Sequence, residues 1–125
     1  MANDIIQRVG FGTDIHRLTP GRKLVLGGVG IPFEAGLAGH SDADVVLHAL
    51  ADAMLGAAGL PDIGELFPDT DPQFKDADSR ELLVKAIAKV RAAGWAVVNV
   101  DLIIHAERPK LSPYKDAIRQ SLANL

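Results

Sequence analysis

Three of the four histidines fall in two short segments, Gly10-Phe11-Gly12-Thr13-Asp14-Ile15-His16 and His40-Ser41-Asp42-Ala43-Asp44-Val45-Val46-Leu47-His48. Asp14-x-His16 places a carboxylate and an imidazole on one side of an extended chain, because strand side chains alternate with period two. His48 lies in a helix-like run and offers a third donor from a second element. Taken alone, Asp14 reads equally as a turn residue, His16 as a half-buried polar contact and His48 as a satisfied core histidine. Together they suit zinc or a similar divalent ion with the fourth position open, the arrangement of a catalytic site. His40 and Ser41 precede a helix start, where backbone N–H groups and two side-chain donors favour an anion such as phosphate. Ser41 serves equally as a plain helix cap there.

The elements that must hold these groups can be read from periodicity and turn residues. Residues 6–12 read as a first strand, and Lys23 to Phe33 as a hairpin turning on Gly27-Gly28. A helix starts at Ser41, with Ser41 and Asp44 in capping-box spacing, and runs to a stop at Gly59. Val46, Leu50, Ala53 and Ala57 make its apolar stripe, while Asp44, His48 and Asp52 recur every fourth residue on a polar one facing the site. Pro61, Pro68 and Pro72, with several aspartates, mark residues 60–77 as a long irregular stretch of the kind that carries function. Its aspartates are turn formers, or ligands for a second, harder cation near phosphates. A second helix follows, capped by Asp78 or Ser79, with Leu83, Ala86, Ile87 and Val90 inward and Gly94 as its stop. Trp95 to Ile104 reads as a strand with His105 at its end. Ala106 to Ser112 is a turn, and Pro113 opens a last helix carrying Ile118, Leu122 and Leu125. The expected fold is α/β, a single-layer β-sheet packed against helices on one face.

Composition excludes several classes. The 125 residues suit one domain, and 48% hydrophobic against 23% charged residues suits a globular protein. A net charge of -3 lacks the basic footprint of a nucleic-acid binder, and Arg22-Lys23 and Arg108-x-Lys110 are too small to supply it. With no cysteine, a metal site must use His, Asp or Glu. No signal peptide or membrane-length apolar run is visible, which predicts a cytoplasmic protein without membrane association. Gly10-x-Gly12 is not a dinucleotide fingerprint, because Ile15 occupies the third glycine's position.

Five ordered motifs carry a resemblance: Phe11-Gly12-Thr13-Asp14-Ile15-His16-Arg17, Leu26-Gly27-Gly28-Val29-x-Ile31-Pro32, Gly39 through Leu50-x-Asp52, Asp62-Ile63-Gly64-x-x-Phe67-Pro68-Asp69-Thr70-Asp71, and Glu107-Arg108-Pro109-Lys110. From about Arg8 to Ser112 the chain resembles the 2-C-methyl-D-erythritol 2,4-cyclodiphosphate synthases. The resemblance implies a homotrimer with active sites between subunits. It also implies a CMP-releasing lyase that makes the cyclic diphosphate from 4-diphosphocytidyl-2-C-methyl-D-erythritol 2-phosphate, in non-mevalonate isoprenoid synthesis. On that basis Asp14, His16 and His48 are zinc ligands, and His40, with Ser41, contacts phosphate and polarises the group under attack. Asp62, Ile63 and Gly64 line the erythritol pocket beneath a mobile stretch containing Phe67, Pro68, Asp69, Thr70 and Asp71. Ala106, Pro109, Lys110, Leu111 and Ser112 belong to the cytidine-binding turn, which acts across the subunit boundary. Magnesium or manganese on the substrate diphosphate is also implied.

The family continues past the last helix with a strand and a Lys-Ala-Thr-Thr-like segment that nothing here matches. The expectation is a domain over 1–125 lacking its C-terminal strand and helix, either truncated or continuing past Leu125. Pro61 and His105 are smaller departures, standing where glycine and an apolar residue are common. Two other functions remain open: a zinc-dependent phosphate-ester hydrolase with Asp44 or Asp62 as base, and a metal-binding but inactive member.

Overall fold

The computed structural model describes residues 5–125. Four three-residue strands form two antiparallel ribbons. β1 (Leu18–Pro20) pairs with β4 (Ala35–Leu37), and β2 (Leu24–Leu26) turns back as β3 (Val29–Ile31). Gly27 and Gly28 make the β2–β3 turn with φ of 61° and 79°, the left-handed pair that a type I′ hairpin turn requires. Four helices follow: α1 (Val45–Ala57), α2 (Ile63–Leu66), α3 (Ser79–Ala92) and α4 (Lys115–Ala123).

α1 and α3 each start where a carboxylate takes orphan N–H groups. Asp44 accepts from Val46 and Leu47 at the head of α1, and Asp78 accepts from Arg80 at the head of α3. Gly59 and Gly94, at φ of 73° and 91°, lie just past the ends of α1 and α3. Leu47, Leu50, Ala51, Met54 and Leu55 of α1 pack on Leu83, Ala86 and Val90 of α3. A second cluster joins Leu24, Leu26, Ile31 and Leu37 of the ribbons to Ala43, Val46 and Ile118. At about 1.5–3 kcal/mol for each large side chain fully buried, α1 is the most firmly held element. Every group positioned on it inherits that rigidity.

Several sequence expectations change. The β structure is two separate ribbons and not one sheet, and β1 and β4 carried no strand signal. Among the described residues, 6–12 and 95–104 form no strand. Both border a cavity of about 930 Å3 beside α1, and Ile6, Val9, Phe11, Val98 and Ile103 stay exposed. Apolar alternation records a surface that seeks cover, whereas a ladder also needs a neighbour at about 4.8 Å. The cap of α1 is Asp44 and not Ser41. The inward stripe of α1 is centred on Leu47, Ala51 and Leu55, while Ala53 and Ala57 are half-buried. The long loop contains the one-turn α2 and a 3-10 turn at Pro72–Phe74, each capped by an aspartate, Asp62 and Asp71. Pro113 lies in a 3-10 turn ahead of α4. No helix among the described residues is long and apolar enough to cross a membrane.

Candidate metal and phosphate site

The two glycines before Asp14 set its position. A Cβ on Gly10 would overlap the carbonyl oxygen of Ala53, and one on Gly12 that of Ala49. The backbone therefore runs directly along α1, one turn from His48, as only glycine permits. Asp14 and His16 then turn to the same side while Ile15, 90% exposed, turns away, as the period-two reading expected.

The three predicted ligands meet. Asp14 Oδ2 lies 3.3 Å from His16 Nδ1 and 3.2 Å from His48 Nδ1, and the two imidazoles stand edge to face. The other carboxylate oxygen of Asp14 accepts from the Ile15 N–H, leaving Oδ2 for a ligand. Zinc–ligand bonds of about 2.0 Å at tetrahedral angles put neighbouring donors about 3.3 Å apart, which matches both distances. His16 Nδ1 is buried without a hydrogen-bond partner, a costly state unless a cation accepts its lone pair. The donor set, spacing and orphaned nitrogen together fit a divalent metal.

Ser41 lies beside this group, and His40 precedes it in the chain. His40 Nε2 donates to the Asp71 carbonyl at 3.1 Å, and the His40 carbonyl accepts from Asp76 N–H. The 67–77 loop is thus clasped to the segment before α1, with Phe67 packed edge-on against Phe74. Ser41, nearly buried, takes the Ala43 N–H on its hydroxyl, which lies 3.4 Å from His48 Nε2. The Arg22 guanidinium holds the carbonyls of Gly39 and Ser41, a role that its place in a small basic pair did not suggest. Because Asp44 already matches the N-terminus of α1 with a carboxylate, an anion here would be met by the side chains of His40 and Ser41.

Of the polar stripe on α1, His48 faces the metal group and Asp52 accepts from the Ile63 N–H at 2.8 Å. One helix therefore fixes both a ligand and the Asp62-Ile63-Gly64 turn. Burial holds the Asp52 carboxyl above its ordinary value, with the charges of Asp62 and Asp14 acting in the same direction. Asp44 departs from expectation. It is fully buried and accepts from Gly27, Gly28, Val46 and Leu47 N–H groups, so it is not the general base of a hydrolase. Asp62, the other nominee, is exposed and caps α2 by accepting from the Glu65 N–H on Oδ1.

Pro68 and Phe67 are half-buried, whereas Asp69 and Thr70 are exposed. The 106–112 turn lies against the hairpin: Leu111 packs on the second core cluster, and Arg108 sits over the Phe33 ring and 3.6 Å from Glu34. Ala106, Lys110 and Ser112 are exposed and Pro109 half-buried, with no hydrogen bond to the metal group among the described residues. Sequence reasoning passed over Asp42 and Ser79, whose types read as ordinary caps. Ser79 is buried, donates its N–H to Asp42 and places its hydroxyl 2.8 Å from His48 Nε2.

Residues 7–125 match the YgbB family model. The chain is 60% identical over 116 residues to the 2-C-methyl-D-erythritol 2,4-cyclodiphosphate synthase of Bordetella petrii, and 61% identical over 116 residues to that of Neisseria gonorrhoeae. Each match covers 93% of this chain and 72% of the relative. Among solved structures, a 2C-methyl-D-erythritol-2,4-cyclodiphosphate synthase in a CDP-bound form superposes with a TM-score of 0.88 at 45% identity, covering 94% of this chain and 78% of that one. The bifunctional IspDF of Campylobacter jejuni gives 0.89 at 49% identity, over 94% of this chain and 32% of that one. With its metal-fitting trio, glycine-set approach and these relatives in agreement, the chain belongs to the YgbB family, the 2-C-methyl-D-erythritol 2,4-cyclodiphosphate synthases.

Proposed function

We propose that this chain converts 4-diphosphocytidyl-2-C-methyl-D-erythritol 2-phosphate to 2-C-methyl-D-erythritol 2,4-cyclodiphosphate, as a phosphorus–oxygen lyase of isoprenoid synthesis. The observation that carries this reading is the meeting of Asp14, His16 and His48, with Asp14 at tetrahedral ligand spacing from each imidazole and Ser41 against His48. In the reaction an oxygen of the 2-phosphate forms a bond to the β-phosphorus. The bond from that phosphorus to the oxygen shared with the α-phosphate breaks, and CMP leaves with the electron pair. Nucleophile and target are both anionic, so catalysis is chiefly positioning and charge neutralisation, with no nucleophilic side chain required.

Asp14, His16 and His48 would hold zinc, which supplies Lewis-acid polarisation of the substrate diphosphate. His40 donates to the phosphate under attack and Ser41 to the same group. Asp62, Ile63 and Gly64, fixed to α1 through Asp52, seat the erythritol. Phe67, Pro68, Asp69, Thr70 and Asp71 cover it, and Ala106, Pro109, Lys110, Leu111 and Ser112 receive the cytidine. One structural neighbour is a CDP-bound form, which supports a cytidine subsite. Magnesium or manganese accompanies the diphosphate. The exposed apolar side chains of 5–15 and 97–103 support burial in a homotrimer with shared sites. The acidic net charge supports neither nucleic-acid nor membrane partners, and the setting is the cytoplasm.

Incubation with the diphosphocytidyl substrate, zinc and magnesium tests the reading. CMP and cyclic diphosphate in equal amounts are expected. Metal-dependent release of free phosphate would instead indicate a hydrolase, and stoichiometric zinc without turnover an inactive member.

A further inference from the structure

A polar chain built on the buried Ser79 lies behind the metal group. Asp42 receives both the N–H and the hydroxyl of Ser79: the N–H reaches Oδ2 at 3.0 Å and the hydroxyl donates to Oδ1. A third donor, the Asp44 N–H, reaches Oδ1 at 3.1 Å. Ser79 is 1% exposed and sits at the first position of α3, yet the cap of that helix is Asp78. Its hydroxyl is therefore free of capping duty and lies 2.8 Å from His48 Nε2. Ala43, fully buried at φ 57°, holds the left-handed kink between Asp42 and Asp44, a strained conformation for a residue with a side chain.

A hydroxyl has one proton to give. An ionised carboxylate only accepts, so the Ser79 proton goes to Asp42 and the serine oxygen is left to accept from His48 Nε2–H. That fixes the neutral tautomer of His48, with its proton on Nε2 and its lone pair on Nδ1. Nδ1 is the atom 3.2 Å from Asp14 Oδ2. Two acceptors at that distance repel unless a cation lies between them. Resting on the metal reading above, we infer that Asp42 and Ser79 are positioning residues that lock His48 in its metal-binding tautomer and ring orientation. The relay joins the start of α3 to the middle of α1, so the packing of the two helices sets the ligand's aim.

The test has two readouts. In zinc-free protein, 15N imidazole shifts of His48 are expected to report the Nε2–H tautomer, and Ser79→Ala to give a mixture. In chelator competition, Ser79→Ala and Asp42→Asn are expected to weaken zinc binding by about 10–100-fold, the usual effect of losing an outer partner. Ser79→Thr, which keeps the hydroxyl, restores most of the affinity. An Nδ1–H tautomer in the wild type would overturn the relay, as would equal zinc affinity in all variants. If the wild type binds no zinc but shows the Nε2–H tautomer lost in Ser79→Ala, the relay stands and the metal reading fails. Since the wild-type tautomer needs no substitution, a misfolded variant does not spare the proposal.

Discussion

Replacing Asp44 tests how the hairpin and α1 are joined. Its Oδ1 accepts from Gly27, Val46 and Leu47 at 2.9–3.1 Å, and its Oδ2 from Gly28 alone at 2.8 Å. Asp44→Asn keeps the first three bonds and sets an amide NH2 against the Gly28 N–H, donor facing donor. One N–H is stranded, at about 1–3 kcal/mol, partly offset because a neutral amide escapes the cost of burying charge. Asp44→Ala strands all four groups. Loss of the helix cap costs about 0.5–2 kcal/mol and the two hairpin N–H groups about 1–3 each, so about 2.5–8 in total. That is a large part of a typical domain's 5–15 kcal/mol. Urea unfolding of the two variants should separate them clearly. The pH dependence has a definite sign. Burial raises the Asp44 carboxyl above its ordinary 3.8, so between that value and the raised one the folded state binds more protons than the unfolded. The wild-type advantage over Asp44→Asn is fully present below about 3.8 and narrows as pH rises through the window. An alanine variant no weaker than the asparagine one, or a gap that widens with pH, refutes the reasoning.

Four further outcomes are expected. His48→Ala should lose stoichiometric zinc by elemental analysis while its circular dichroism stays native, because the half-buried imidazole is not part of either core cluster. His40→Ala should retain zinc and slow CMP release by about 10²–10³-fold, the effect of removing one donor to a developing charge. Gly12→Ala must push the backbone off Ala49 and carry Asp14 with it, so turnover should fall about 10²-fold even though no ligand changes. Zinc at about 100 times its dissociation constant should stabilise the fold by about 2.7 kcal/mol, an increment that a chelator removes and that is absent in His48→Ala.

The site was more legible in the sequence than the sheet. Asp14, His16 and His48 were recognisable because residue type and spacing restrict metal chemistry tightly, and the fold had only to bring two segments together. The hairpin was legible because Gly27-Gly28 satisfies a turn that few residues tolerate. Residues 6–12 and 95–104 misled because alternation records the wish to be covered without saying by what. Gly10 and Gly12 carried a signal that was set aside with the dinucleotide reading. Their meaning, contact with α1, required knowing where Ala49 and Ala53 would lie. Asp42 and Ser79 were hidden because they act across 37 residues, whereas cap spacing is local. Asp44 shows the reverse error, a residue in perfect helical register with His48 whose carboxylate turns to backbone.

The clasp between His40 and the Asp71 carbonyl makes the loop a competitor for the same proton. The nitrogen proposed to serve phosphate is already donating at 3.1 Å, so an incoming anion must displace a neutral acceptor before gaining its bond. At about 1 kcal/mol for a neutral hydrogen bond, the exchange lowers apparent affinity about fivefold. By linkage, the same exchange frees the Asp71 carbonyl whenever the phosphate is bound, while the Asp76 N–H still holds the loop to the His40 carbonyl. Occupancy of the phosphate position and release of the Asp71 carbonyl are thus two readings of one equilibrium.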